Sequence, residues 1–419
     1  MSSQPNGNTD NSNNNKNEED KKKEKEKEKE QKSPLNWVAN FFMKIFESKP
    51  AAVGSVEMQA KNNAPAANEN GSGNGNGKAK ANGKSNGNGA ATLVRDSSLS
   101  SSSSSVISLD TPQDYLDRLP SHLRRDATEY PTRYSMPERI VAVGDVHGDL
   151  MAFVYVLRNA GLIPSEEQLA KNQELEWDTW IGKSAFLVQV GDQLDRGDEE
   201  RLILHLLLTL RDQARKQGGE VCILLGNHEL MNVAFDFRFV TSGGFAEFTL
   251  LDRELELFND EAELERLSTD CHPLFDKVPE YMKPRLVAMR PGGPTAMMMA
   301  EFNVAVIIGQ YVFVHGGLKQ LHLTSSSNVD FPLEQLNWET RRYLRGEGPE
   351  PRVLQLEDSP LWVRDYSNPN PRESECRELE NTLKRLGASH MVVGHTPQAG
   401  GINCACEGKV WRVDTGLSA

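Results

Sequence analysis

The pattern of apolar and polar positions changes a little past residue 110. Before it, apolar residues are scattered among Asn, Gly, Ser, Lys and Glu. After it, short runs rich in β-branched residues alternate with longer runs of helical period. The first short run is Arg139-Ile140-Val141-Ala142-Val143, which stops at Gly144. Residues 150–159 carry apolar positions at helical spacing. Further strands are predicted over 186–190 and 221–225, with a strong helix over 199–216 between them. Later strands are expected at 304–308, 311–314, 390–393 and 410–413. Such alternation predicts a layered α/β domain, placed over residues 115–419. Residues 250–300 mix a charged, helical stretch with a Pro-, Gly- and Met-rich one, and read as a lobe near the mouth of a site. The last strand stands close to Ala419, so a further strand pairing with it is expected to be missing. That would affect edge stability more than the identity of any ligand.

One segment interrupts the polar arm. Ser33-Pro34 reads as a helix start, and Val38, Phe41, Phe42, Ile45 and Phe46 follow on one face. A short amphipathic helix is predicted over 34–47. Its apolar face fits docking on a membrane surface, on a partner, or back on the folded domain. The rest of 1–110 is expected to be a disordered low-complexity arm, because it cannot bury enough apolar surface to offset the entropy of ordering it.

Composition sharpens this division. The 419 residues are 37% hydrophobic and carry a net charge of −13. The arm holds 15 Lys and Arg against 13 Asp and Glu, which leaves −15 on the remainder. An acidic domain argues against nucleic acid as a partner. It suits a site that needs carboxylates for metal, although an acidic surface also serves solubility alone. The five cysteines are an odd, sparse set and read as reduced thiols rather than a disulfide framework. No apolar run is long enough to span a bilayer, and no secretory signal is visible. A cytoplasmic location is the resulting expectation.

Candidate chemistry gathers where the strands end. The first strand runs into Gly144-Asp145-Val146-His147-Gly148-Asp149, and the second into Gly191-Asp192-Gln193-Leu194-Asp195-Arg196-Gly197-Asp198. The third gives Gly226-Asn227-His228-Glu229; two later ones give His315-Gly316-Gly317 and Gly394-His395-Thr396. Taken singly, each is an ordinary turn or helix cap. Taken together, five clusters at five strand ends describe one site. Asp145 and His147 are two apart, so extended chain projects both to one side. Mixed Asp, Asn and His donors suit Mn, Fe or Zn. At least six ligands exceed what one metal needs if it must also hold water and substrate, so two metals sharing a carboxylate are the economical arrangement. A metal pair can clamp phosphoryl oxygens and acidify a bridging water to a pKa of about 7. Arg196 offers a planar fork for phosphate oxygens, and a histidine can protonate the leaving oxygen. The residues thus point to a two-metal phosphoesterase.

These motifs carry a resemblance. Gly144-Asp145-x-His147-Gly148, Gly191-Asp192-x-x-Asp195-Arg196-Gly197 and Gly226-Asn227-His228-Glu229 resemble the signature motifs of the calcineurin-like metallophosphoesterases, and within them of the PPP phosphoprotein phosphatases. The likeness covers roughly 135–418. It implies a β-sandwich of two mixed sheets flanked by helices, with metals at the strand ends. It also implies ligand roles: Asp145, His147 and Asp192 for one metal, and Asp192, Asn227, His315 and His395 for the other, with Asp192 bridging. His228 would be the general acid, oriented by Asp195, and Arg196 would bind phosphate. A narrower resemblance, to the Shewanella-like protein phosphatase branch, rests on Trp180, on the run from Phe186 to Asp192, on Tyr311-Val312-Phe313-Val314-His315-Gly316-Gly317-Leu318, on Pro360-Leu361-Trp362-x-Arg364, and on Val393-Gly394-His395-Thr396-Pro397. It implies Arg364 as a second phosphate ligand and weak sensitivity to toxins that block the eukaryotic-type serine/threonine enzymes. The substrate implied is a phosphoprotein carrying phosphoserine, phosphothreonine or phosphotyrosine. A dinucleoside polyphosphate hydrolase is the alternative on the same site. A catalytically dead binding scaffold is disfavoured because no ligand or acid is lost.

Overall fold

The computed structural model describes residues 117–249, 277–324 and 332–418, together with Gln113 and the strand Ala90–Val94. The expected 34–47 helix lies outside the described residues, as does most of the expected arm.

Two sheets pack face to face. The first orders β1 (Ala90–Val94), β3 (Arg139–Val143), β4 (Phe186–Gln189) and β5 (Glu220–Ile223). β3, β4 and β5 are parallel, and β1 joins their edge antiparallel, with Ala90 opposite Val143. β1 falls inside the stretch expected to be a disordered arm. Its Ala-Ala-Thr-Leu-Val sequence is a short apolar run that can extend an open sheet edge. The second sheet orders β2 (Arg133–Tyr134), β6 (Ala305–Ile308), β7 (Tyr311–Val314), β8 (His390–Val393), β10 (Val410–Arg412) and β9 (Asn403–Ala405). β10 pairs parallel with β8 on one side and antiparallel with β9 on the other. The partner that the sequence reading sought beyond the last strand is therefore β9, folded back through a hairpin.

The inner faces form one core. Ile140, Ala142, Val188, Val190, Cys222 and Leu224 meet Val306, Ile308, Phe313, Val392 and Val413. The two-residue spacing of most of these is the period of a pleated strand. The intervening Val141, Val143 and Leu187 are equally buried, on the opposite face. Helices cover that face, which is why these strands read as continuous apolar runs rather than alternating ones. The helices used below are α1 (Ser121–Glu129), α2 (Leu150–Asn159), α3 (Glu200–Lys216), α4 (Asn227–Val233), α5 (Ser242–Thr249), α6 (Lys283–Met289), α7 (Leu333–Leu344) and α8 (Glu373–Leu386). α3 packs on β5 and against α2, and α1 packs on α7, with Trp338 against Leu119, Leu123 and Ala127. No helix among the described residues is long and apolar enough to cross a membrane.

The thiol reading needs one correction. Cys376 on α8 and Cys406 beyond β9 form a disulfide across 30 residues of sequence. The parallel pairing of β8 with β10 brings the two segments together, and spacing along the chain does not reveal such connectivity. Cys222 is buried and unpaired, with burial raising its thiol pKa; Cys404 is exposed.

A buried histidine outside the site gives the fold a pH dependence. His322 is fully buried; its Nδ1 accepts from the Lys319 N–H at 3.1 Å, and its Nε2 donates to the Asp358 carbonyl at 2.8 Å. That pairing uses the neutral ring. Burial leads the shift of its pKa from 6.5 down to about 4. Between those values the unfolded chain binds the extra proton, so stability rises with pH there. The contribution is full above about 6.5 and falls away towards about pH 4, by about 3 kcal/mol. Denaturant titrations at pH 7 and pH 4 should show a smaller difference in His322→Gln than in the parent; an equal difference would assign the acid sensitivity elsewhere.

Candidate active site

The site is assembled from the loops that follow β3, β4, β5, β7 and β8. Each strand ends inside the core and delivers its next few residues to one edge of the sandwich. The loops after β3 and β4 are laced together by backbone bonds: the amides of Val146 and His147 donate to the Asp192 carbonyl at 3.0 Å, and Gly148 donates to Gln193 at 2.9 Å. His147, Asp192, Asp195 and Arg196 all adopt positive φ, between 50° and 69°. Four such non-glycine residues in one place are costly, and backbone strain of this kind collects at functional sites. Glu229 helps to hold it. Its buried carboxylate accepts the amides of Asp192, Gln193, Leu194 and Gly226 at 2.6–3.1 Å. Burial, then the charge of Asp192, raises its pKa to about 7.

Asp192 is the centre of the arrangement. Its Oδ2 lies 3.2 Å from His315 Nε2, 3.6 Å from His147 Nε2 and 3.9 Å from His228 Nε2. Its Oδ1 accepts the His228 amide at 3.0 Å. Two buried donor groups share it: His147, Asp192 and His228, and Asp192, His315 and His395, each with ligand atoms within 4.8 Å of one another. Asn227 Oδ1 stands 2.9 Å from His315 Nε2. Asp145 lies at the rim of this cluster. Its Oδ2 is 4.0 Å from His147 Nε2, and its Oδ1 accepts the His395 amide at 3.1 Å. The ring order is fixed from behind. His147 Nδ1 bonds the Leu194 carbonyl at 2.9 Å and His315 Nδ1 the Val190 carbonyl at 2.8 Å, which turns both Nε2 atoms inward.

The electrostatics are those of a site built around cations. Burial opposes charge on His315, but Asp192 and Asp145 hold its pKa up at about 10. Burial would raise Asp192 as well, yet His315 and the neighbouring imidazoles keep it ionised. Burial drives His147 down to about 4 and His395 down to about 2, with His315 adding to the latter. Asp145 is raised well above the carboxylate range by burial and by Asp414 beside it. Neither ring nitrogen of the buried His395 has a hydrogen-bond partner, and nor does Oδ2 of the buried Asp414. Unpartnered nitrogens and crowded carboxylates fit divalent metal.

Two further groups complete the mouth. His228 Nδ1 pairs with Asp195 Oδ2 at 2.6 Å, while Arg196 Nη2 reaches His228 Nε2 at 3.3 Å. Arg364 is exposed and lies on the other flank, its Nη1 donating to the His395 carbonyl and to Thr396 Oγ1 at 3.0 Å. Aromatic rings cover both ends of the imidazole row: Phe239 sits 5.1 Å from His228, and Trp362 sits 5.5 Å from His395.

All ten residues singled out in the sequence converge here. Sequence reasoning passed over Asp414, Phe239, and three residues behind Asp195: Asn232, which donates to its Oδ1, Glu200, which accepts its amide, and Arg285, which pairs with Glu200. Asp414 could have been found: Val413-Asp414-Thr415-Gly416 repeats the pattern of a strand running into Asp and Gly. The other four carry no local signal, since they sit within helices or in a connecting loop.

Comparisons with known proteins agree with the geometry. A family model described as Calcineurin-like phosphoesterase matches residues 138–399. Shewanella-like protein phosphatase 2 of Arabidopsis thaliana is 35% identical over 310 residues, covering 68% of this chain and 73% of the relative. Shewanella-like protein phosphatase 1 of Plasmodium berghei is 29% identical over 290 residues, covering 67% of each. Among solved structures, the cold-active protein-tyrosine phosphatase of a psychrophilic Shewanella species superposes with a TM-score of 0.52 at 22% identity, covering 72% of this chain and 77% of that one. The last is a likeness of fold.

Proposed function

The chain belongs to the calcineurin-like phosphoesterase family, and from that premise we propose that it is a metal-dependent phosphoprotein phosphatase hydrolysing phosphate monoesters. The observation that carries this reading is the buried Asp192 carboxylate, whose Oδ2 stands within 4 Å of His147, His315 and His228, with His228 held in turn by Asp195. Asp145, His147 and Asp192 would hold one metal. Asp192, Asn227, His315 and His395 would hold the other, as Mn, Fe or Zn. When bound, the metals would neutralise phosphoryl oxygens and acidify water for attack near neutral pH.

The remaining steps fall to the protein's own side chains. Asp195 Oδ2 accepts the Nδ1–H of His228 in a short bond, so in the protonated ring the transferable proton sits on Nε2, facing Asp192. Burial alone would lower the His228 pKa, but its bond to Asp195 and the nearby carboxylates raise it. That keeps the ring a competent acid for the leaving oxygen. Arg196 and Arg364 flank the site as planar donors for the non-bridging phosphate oxygens. Their anchors differ: Arg196 is tied by its backbone to the Phe239 carbonyl, and Arg364 by its side chain to His395 and Thr396.

The test is an assay of the Mn-loaded protein on phosphoserine, phosphothreonine and phosphotyrosine peptides beside diadenosine tetraphosphate. Metal-dependent peptide hydrolysis supports the proposal and sets the residue preference. Hydrolysis of the dinucleotide alone would replace it with a nucleotide hydrolase. An Arg364→Ala variant run in parallel should raise KM on the active peptide roughly tenfold, the loss of a charge-assisted contact.

A further inference from the structure

A fully buried arginine is used by nothing in the reaction set out above. Arg285 projects from α6, within the segment that read as a vague lobe, and it is fully buried. Its Nε donates to Asn232 Oδ1 at 2.9 Å. Its Nη1 donates to Glu200 Oε2 at 2.5 Å and to the Gly244 carbonyl at 3.0 Å. Its Nη2 reaches Asp195 Oδ1 at 3.5 Å. The rings of Phe237, Phe245 and Phe248 lie 4.8–6.0 Å from its guanidinium carbon and keep water out.

Those partners are the groups that hold Asp195. Glu200 Oε1 accepts the Asp195 amide at 2.7 Å, and Asn232 Nδ2 donates to Asp195 Oδ1 at 3.0 Å. An asparagine amide can present either its oxygen or its nitrogen. By occupying Oδ1, Arg285 turns Nδ2 of Asn232 towards Asp195. Glu200 has no exposed surface, and burial raises its pKa; the guanidinium opposes that rise and favours the ionised acceptor. We propose that Arg285 is a positioning residue for the general acid, acting through Asn232 and Glu200 on Asp195 and so on the His228 ring. This rests on His228 being the acid.

The experiment follows the leaving group. Initial rates would be measured on a series from p-nitrophenyl to phenyl phosphate, for Arg285→Lys and for the double variant Arg285→Met with Glu200→Gln. The double variant removes the buried Glu200 carboxylate together with its cation and leaves Asp195 its bonds to His228 and Asn232. A misplaced acid matters most where the leaving oxygen is most basic. The expected result is a kcat loss within about threefold on p-nitrophenyl phosphate and about 100-fold on phenyl phosphate, with KM, metal content and thermal midpoint near those of the parent. A uniform loss across the series, or none, overturns the inference; Arg285→Lys decides the matter if the double variant does not fold. His228→Ala runs in the same series. If that variant shows no leaving-group dependence, the acid assignment itself fails; if it does while the Arg285 variants do not, only the role of Arg285 falls.

Discussion

Replacing Asp192 with Asn is expected to lower kcat/KM by about 10³-fold or more and to reduce bound metal from two ions to one or none. The carboxylate faces three imidazoles through one oxygen and caps the His228 amide through the other. An amide keeps the acceptor for His228, so the first turn of α4 survives. It places an N–H₂ where Oδ2 stood, however, and turns a donor towards His315, His147 and His228. The shared negative charge is lost from both donor groups at once. The metal-free protein should be less stable than the parent, because the buried His315 loses the carboxylate that holds its charge. Elemental analysis after metal loading, alongside kinetics and a thermal scan of the apo form, checks each part. A variant that binds two metals and keeps more than a tenth of the parent activity would show that Asp192 does not bridge.

Much of this site was legible because polarity switches abruptly at the ends of apolar strands. β3, β4 and β5 each run from buried β-branched residues directly into Gly and a carboxylate or amide. The physical reason is plain: a strand buried on both faces can expose polar ligands only at its end. The strand cores could be placed to within a residue or two for the same reason. What stayed illegible depends on contacts between distant segments. Asp414 could be picked out as a strand running into Asp and Gly, but its approach to Asp145 follows from β10 pairing parallel with β8, which the local pattern does not give. Arg285 looks in sequence like any charge on a helix of mixed composition, and its burial follows from three phenylalanines supplied by other segments. The Cys376–Cys406 bridge and the β1 edge likewise come from tertiary pairing, which no local period encodes.

Gly197→Ala is expected to destabilise the protein by about 3 kcal/mol or more and to abolish metal binding with it. Gly197 and Gly148 are where the loops after β4 and β3 touch backbone to backbone. A Cβ at Gly197 would stand 2.5 Å from the His147 carbonyl oxygen and nearer still to the Gly148 carbonyl; one at Gly148 would lie 2.7 Å from the Gly197 backbone. Neither side is a flexible side chain that can swing away. Relief would require the loops to part, and the amide bonds from Val146, His147 and Gly148 to the second loop would break with them. Those bonds set the spacing of His147 from Asp192, so fold and site are lost together. Gly161 supplies the comparison. Gly197 is not among the glycines of positive φ, so its cost is steric; Gly161 turns with positive φ, at +62°, but a Cβ there meets nothing within 4 Å. Gly161→Ala therefore bears only the backbone cost, about 1 kcal/mol, and should keep its metals. Denaturant melts of both variants, with metal content measured on the folded fraction, separate steric contact from backbone conformation. Equal losses in the two would mean that the backbone contact between the loops costs no more than a left-handed turn at an open position.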